Sequence, residues 1–159
     1  MKILVVLLLI VTNSYANLPS QSEVRSAFQK AATEEQSCRY LIKMLRVYNE
    51  KSSPLLGGYK ACATMIMAKY VFNPFTKLSN FSKGKTLLEK CITADEQNIE
   101  LRFLRYTIQR KTPFFLQYKS SLKEDEAILT KGILNIKDTS LKKMIVEFLK
   151  LEGTINKIQ

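Results

Sequence analysis

The chain of 159 residues contains no histidine and no tryptophan. Without histidine there is no Ser-His-Asp or Cys-His catalytic group and no His-ligated metal site. Cysteine occurs three times, at Cys38, Cys62 and Cys91. The spacings are too wide and the number too small for a zinc site. Glycine and proline are scarce, with five and four residues. That scarcity argues against an all-β fold with many turns and for helices joined by few loops. A long hydrophobic run is missing too. The run at the start, Ile3 to Val11, is nine residues, whereas a helix needs about 20 to span a bilayer.

What that start does contain is a pattern for export. Lys2 precedes the apolar run, and Thr12-Asn13-Ser14-Tyr15-Ala16 follows it, with small residues at Ser14 and Ala16. This is the layout of a cleavable secretory signal, residues 1–16, cut after Ala16. The expected mature chain, residues 17–159, is a single helical domain of ordinary apolar content. It works in the periplasm or outside the cell, soluble, with no cysteine placed to carry a lipid. The whole sequence has 25 Lys and Arg against 14 Asp and Glu, a net charge of +11. Loss of Lys2 with the signal leaves +10. The lysines are scattered rather than run together, which suits solvated faces better than one dedicated patch.

The periodicity implies an all-α fold of six to seven helices packed as antiparallel hairpins. Ser20 and Glu23 have capping-box spacing and open a first helix over 21–32. Thr33 and Gln36 repeat the signal before a second helix, whose stripe is Cys38, Leu41, Leu45 and Tyr48. Asn49 to Pro54 is a loop. The third helix, Gly58–Tyr70, is apolar nearly all round and should be the most buried. Asn73-Pro74 is read as its stop, with a fourth helix starting between Thr76 and Asn80. Gly84, Leu88 and Cys91 face inward on that helix. A fifth covers Ile99 to Gln109, and Phe114, Phe115 and Tyr118 form an aromatic cluster after it. A sixth covers Ser121–Lys131, and a seventh is capped by Asp138 or Ser140.

Residues 81–104 carry a resemblance. Gly84, Leu88 and Cys91 stand at small–large–small spacing, followed by the turn Asp95-Glu96-Gln97-Asn98. This resembles the second helix of a tetratricopeptide repeat running into the next, and implies close helix–helix approach. Glu96 stands where the repeat has proline. The segments Leu55-Leu56-Gly57-Gly58-Tyr59-Lys60, Asn73-Pro74-Phe75 and Glu100-Leu101-Arg102-Phe103-Leu104-Arg105 are similar to a group of small exported helical proteins of Bacteroidetes-type bacteria. That likeness implies a helical fold and export.

One candidate site emerges. At about 100° per residue, Arg102, Arg105 and Gln109 lie with Asn98 on one narrow stripe of the fifth helix. Leu101, Leu104, Ile108, Phe103 and Ile99 fill much of the rest. Lining a groove, two guanidiniums three residues apart would hold a carboxylate or phosphate by forked hydrogen bonds. Solvent exposure or internal salt bridges are the plainer use of such a stripe. On the groove reading, alanine at both arginines leaves stability within about 1 kcal/mol. Glu100 falls on the apolar side and needs a basic or backbone partner.

Catalytic chemistry finds no support. Glu34-Glu35, Asp95-Glu96 and Glu124-Asp125-Glu126 are runs of neighbours whose side chains point apart. There is no Gly-x-Ser-x-Gly motif, and Ser120-x-x-Lys123 lacks its companion motifs. No catalytic residue, metal or cofactor is expected. The chain therefore reads as an exported, non-enzymatic binding or interaction module of the cell envelope. A basic accessory protein on an anionic membrane surface is the alternative, and an enzyme ranks third. The partners in view are an envelope protein or peptide, or an anionic envelope component, not nucleic acid. Finally, Cys62 and Cys91 lie equidistant from a turn near Thr76. They are expected at one level of the central hairpin as free thiols, with Cys38 apart.

Overall fold

A computed structural model describes residues 18–155. The expected signal therefore lies outside the described residues. Those that are described are all helical, without a strand. Seven α-helices follow in order: α1 (Gln21–Ala31), α2 (Glu35–Met44), α3 (Pro54–Met67), α4 (Pro74–Ala94), α5 (Ile99–Lys111), α6 (Leu122–Gly132) and α7 (Thr139–Leu151).

The helix starts follow from their caps. Ser20 Oγ accepts from the Glu23 N–H at 3.1 Å and starts α1. Ser53 caps α3, Asn98 caps α5, and Asp138 caps α7 by accepting from the Leu141 N–H at 3.0 Å. α2 starts at Glu34 without a side-chain cap, so the Thr33 signal is not used. α4 departs further from expectation. Asn73 Oδ1 accepts from the N–H groups of Phe75 and Thr76, and Pro74 occupies the first turn. Asn-Pro is thus a start and not only a stop, because proline costs nothing where the N–H has no helical partner.

That early start shifts the central hairpin. α3 and α4 pack closely through glycines on both helices. A Cβ on Gly84 would stand 2.5 Å from the Ala61 carbonyl oxygen and 2.6 Å from Met65 Cγ. A Cβ on Gly57 would stand 2.9 Å from Cys91 Sγ. Cys62 is therefore level with the Gly84 turn, and Cys91 with Gly57, so the two are not at one level. They remain in the same layer: burial first, and then the nearby Cys91, push the Cys62 thiol well above its usual range. All three cysteines are buried and free. Cys38 points elsewhere, its Sγ donating to the Ala63 carbonyl at 3.2 Å.

Gly84→Ala should destabilise the chain by about 1–3 kcal/mol, the usual cost of overpacking. A backbone carbonyl at 2.5 Å has no rotamer with which to yield. Urea unfolding measures the loss, and a helical spectrum retained at low urea shows that the fold persists.

α5 shares the centre with α3. Nine of its thirteen residues are buried. Leu101, Leu104 and Ile108 face the core formed by α1 to α4, while Phe103 and Tyr106 face a second core with α6 and α7. The expected aromatic cluster after α5 splits. Tyr118 is buried, whereas Phe114 and Phe115 are exposed. Gln117, with φ 46°, turns the chain between them.

The odd-numbered helices share one direction. Their N-terminal ends meet at Arg25, which bonds to Glu100 and Asp138. Near their C-terminal ends, Tyr70 Oη donates to the Ala31 carbonyl and Lys69 Nζ to that of Ala32. There too, Arg110 and Lys111 pair with Glu152.

Candidate functional site

The α5 stripe is not open. α6 lies along it and presents Asp125, which is fully buried. Arg105 Nε donates to Asp125 Oδ2 at 2.7 Å and Arg105 Nη2 to Oδ1 at 2.8 Å. Its remaining nitrogen, Nη1, donates to Glu89 Oε2 at 2.9 Å, and Tyr118 Oη donates to the other Glu89 oxygen. Arg102 Nη1 reaches Glu124 at 3.2 Å and Asp125 at 3.5 Å, and its Nε donates to the Glu96 carbonyl. Both arginines do converge on a carboxylate, Arg105 by forked bonds and Arg102 by one long contact, and that carboxylate is the chain's own Asp125. Burial opposes the Arg105 charge, but the Asp125 bonds outweigh it and hold its pKa above the ordinary value. Gln109 joins neither arginine. It is fully buried, and its amide nitrogen and oxygen meet no hydrogen-bond partner among the described residues.

Glu100 finds the basic partner its position requires. Arg25 donates to it twice, at 2.7 and 2.8 Å, and Tyr59 Oη donates to Oε1. Arg25 Nη1 goes on to Asp138 at 2.8 Å, so one guanidinium ties α1 to α5 and to the start of α7. The Glu100 bonds, set against burial, raise the Arg25 pKa above its ordinary value. Burial and Glu100 push the Tyr59 hydroxyl well up. Asp138 is held below the usual carboxylate range by the Leu141 N–H and then by Arg25.

A shallow concavity of about 580 Å³ runs along α4 beside Glu89, lined by Glu50, Lys85, Thr86, Lys90 and Thr93; a deeper, apolar one lies elsewhere. A cleft of about 340 Å³ runs between α1 and α7, with α5 as its floor. Phe28, Ile66, Phe103, Ile108, Met144 and Phe148 give it an apolar lining. It marks the seam between the two hydrophobic cores. Lys111, Glu147 and Gln29 lie along it, and Lys111 Nζ stands 5.8 Å from the Phe148 ring centre. The cleft is tied at both ends. Arg25 joins α1 to α7 at one end, and Glu152 accepts from Arg110 and Lys111 at the other.

Two of these features carry signals in the sequence. Asp125 stands three residues after Leu122 and four before Leu129, on the apolar stripe of its helix. Arg25 stands beside Val24 and three before Phe28. A charge on an apolar stripe needs a buried partner. Among the described residues no group of acidic and cysteine side chains is arranged to hold a metal ion, and no helix is long and apolar enough to cross a membrane. Compared with protein-family models, curated proteins and solved structures, the chain matches none.

Proposed function

We propose that the chain is an exported, non-enzymatic binding module of the cell envelope. Its ligand on this reading is a single aliphatic chain with an anionic head, held in the cleft between α1 and α7. The observation that carries it is the cleft itself: apolar on its floor, lysine at its edge, and within the size range of small-molecule sites. The aliphatic part replaces water against Phe28, Ile108, Met144 and Phe148. Lys111, whose side chain is exposed, meets the head by giving up its bond to Glu152, which keeps Arg110. The carboxylates Asp125 and Glu100 are already bound by arginines, which supports a binding role over acid–base chemistry. The export address rests on the pattern of residues 1–16.

The test uses Ala32, a small exposed residue at the end of α1 that lines the cleft. A fluorescent fatty-acid analogue should bind the chain saturably at one site and be displaced by dodecanoate. Ala32→Trp should weaken that binding at least tenfold by filling the cleft from its edge, with thermal stability unchanged. The new tryptophan is the sole one in the chain and reports directly on its surroundings. Unsaturable uptake, or equal uptake by the variant, contradicts the reading.

A further inference from the structure

The end of the bundle where the odd-numbered helices finish has an unusual surface. The α3–α4 turn, the segment after α5 and the end of α7 all lie there, as the bonds of Lys69, Tyr70 and Glu152 establish. Phe72, Phe75, Leu78, Phe114, Phe115 and Leu151 are displayed on it, between 55% and 99% exposed. They are six of the ten large apolar side chains exposed among the described residues. Exposed apolar groups gathered on one end mark an interaction surface.

The charges around them have one dominant sign. From residue 51 to 88 the sequence has no Asp or Glu, and Lys69, Lys77, Lys83 and Lys85 lie near or past the α3–α4 turn. From 101 to 123 it again has none, and Lys111 and Lys119 flank the two phenylalanines. Lys77, Lys83 and Lys119 enter no ion pair among the described residues. The acids of this end are largely occupied. Glu35 pairs with Arg39, Glu34 accepts from Ser37, and Glu152 pairs with Arg110 and Lys111.

We infer that this end docks on an anionic bilayer surface. Phe72, Phe75, Phe114 and Phe115 enter the headgroup–acyl boundary while the lysines meet lipid phosphates. The rings are carried on fixed backbone: Asn73 caps α4 around Pro74, and Gln117 closes the turn after Phe115. Little ordering is then needed on contact. Each lysine held at an anionic surface adds about fivefold in affinity. Uncompensated lysines near the aromatic tips fit lipid phosphate, and they repel a second copy of the same basic end. The docking surface shares Lys111 and Leu151 with the edge of the cleft, but its four phenylalanines do not line the cleft.

The experiment is vesicle co-sedimentation of the chain from Asn17, which contains every described helix. Vesicles of phosphatidylcholine alone are compared with phosphatidylcholine mixed with phosphatidylglycerol, at low and high salt. Binding to the mixed vesicles, weakened by salt, is expected. F72S/F75S should reduce it at least tenfold without changing the helical spectrum or the melting temperature. Lys77→Glu with Lys83→Glu should reduce binding to the anionic vesicles to the level of the neutral ones. Absence of vesicle binding overturns the inference, as does equal binding by F72S/F75S. A dimer in sedimentation that F72S/F75S dissociates also overturns it, since the phenylalanines would then form a contact between copies.

Discussion

Asp125→Ala should lower the unfolding free energy by about 3–5 kcal/mol, the cost of leaving a buried charge without its partner. The Arg105 side chain is 6% exposed and would keep only Glu89. Arg102, which also leans on Asp125, would lose part of its support. Against a typical total stability of about 5–15 kcal/mol this is a large share. Urea unfolding gives the number. Replacing the pair together, Arg105→Met with Asp125→Leu, should cost much less, because well-packed apolar side chains substitute well for a buried ion pair. A loss below about 1 kcal/mol for Asp125→Ala would show Arg105 to be free for a ligand after all, as on an exposed site.

Glu100→Ala should be comparably severe, again about 3–5 kcal/mol. It removes the acceptor of two Arg25 bonds and of the Tyr59 hydroxyl, all inside the core. Arg25 would retain only Asp138, whose side chain is 40% exposed. Because Arg25 joins α1, α5 and the start of α7, the variant should also loosen α7. Amide hydrogen exchange along Thr139–Leu151 should rise more than along α3. Arg25→Ala and Glu100→Ala combined should cost less than the two losses added, the mark of one shared interaction.

The helices were legible because their signals are local. Ser20 and Asp138 announce their helices within three residues, and the stripe Leu141, Met144, Ile145, Leu149 sets the buried face of α7. The need of Glu100 for a basic partner was legible too, since it stands on an apolar face. The identity of that partner was not, because Arg25 lies 75 residues away and on another helix. The same holds for the α5 stripe. A wheel places Arg102, Arg105 and Gln109 together, but whether they meet solvent or α6 depends on where α6 packs. The Asn73-Pro74 start of α4 was misread as a stop alone, and a shift of a few residues moved Cys91 opposite Gly57 instead of Cys62. The cleft had no sequence signal of its own. It is the space left where two cores meet, and each of its apolar lining side chains from Phe28 to Phe148 reads as ordinary core.

The central claim is that the arginines of α5 hold the fold while binding belongs to the cleft. Titration of the isotopically labelled chain with dodecanoate, followed by nuclear magnetic resonance, tests it most directly. Saturable shifts gathered at Phe28, Ile66, Ile108, Met144 and Phe148, with the Arg105 Nε–H signal unmoved, are the predicted result. Shifts centred on Arg102, Arg105 and Gln109, or none that saturate, would contradict it.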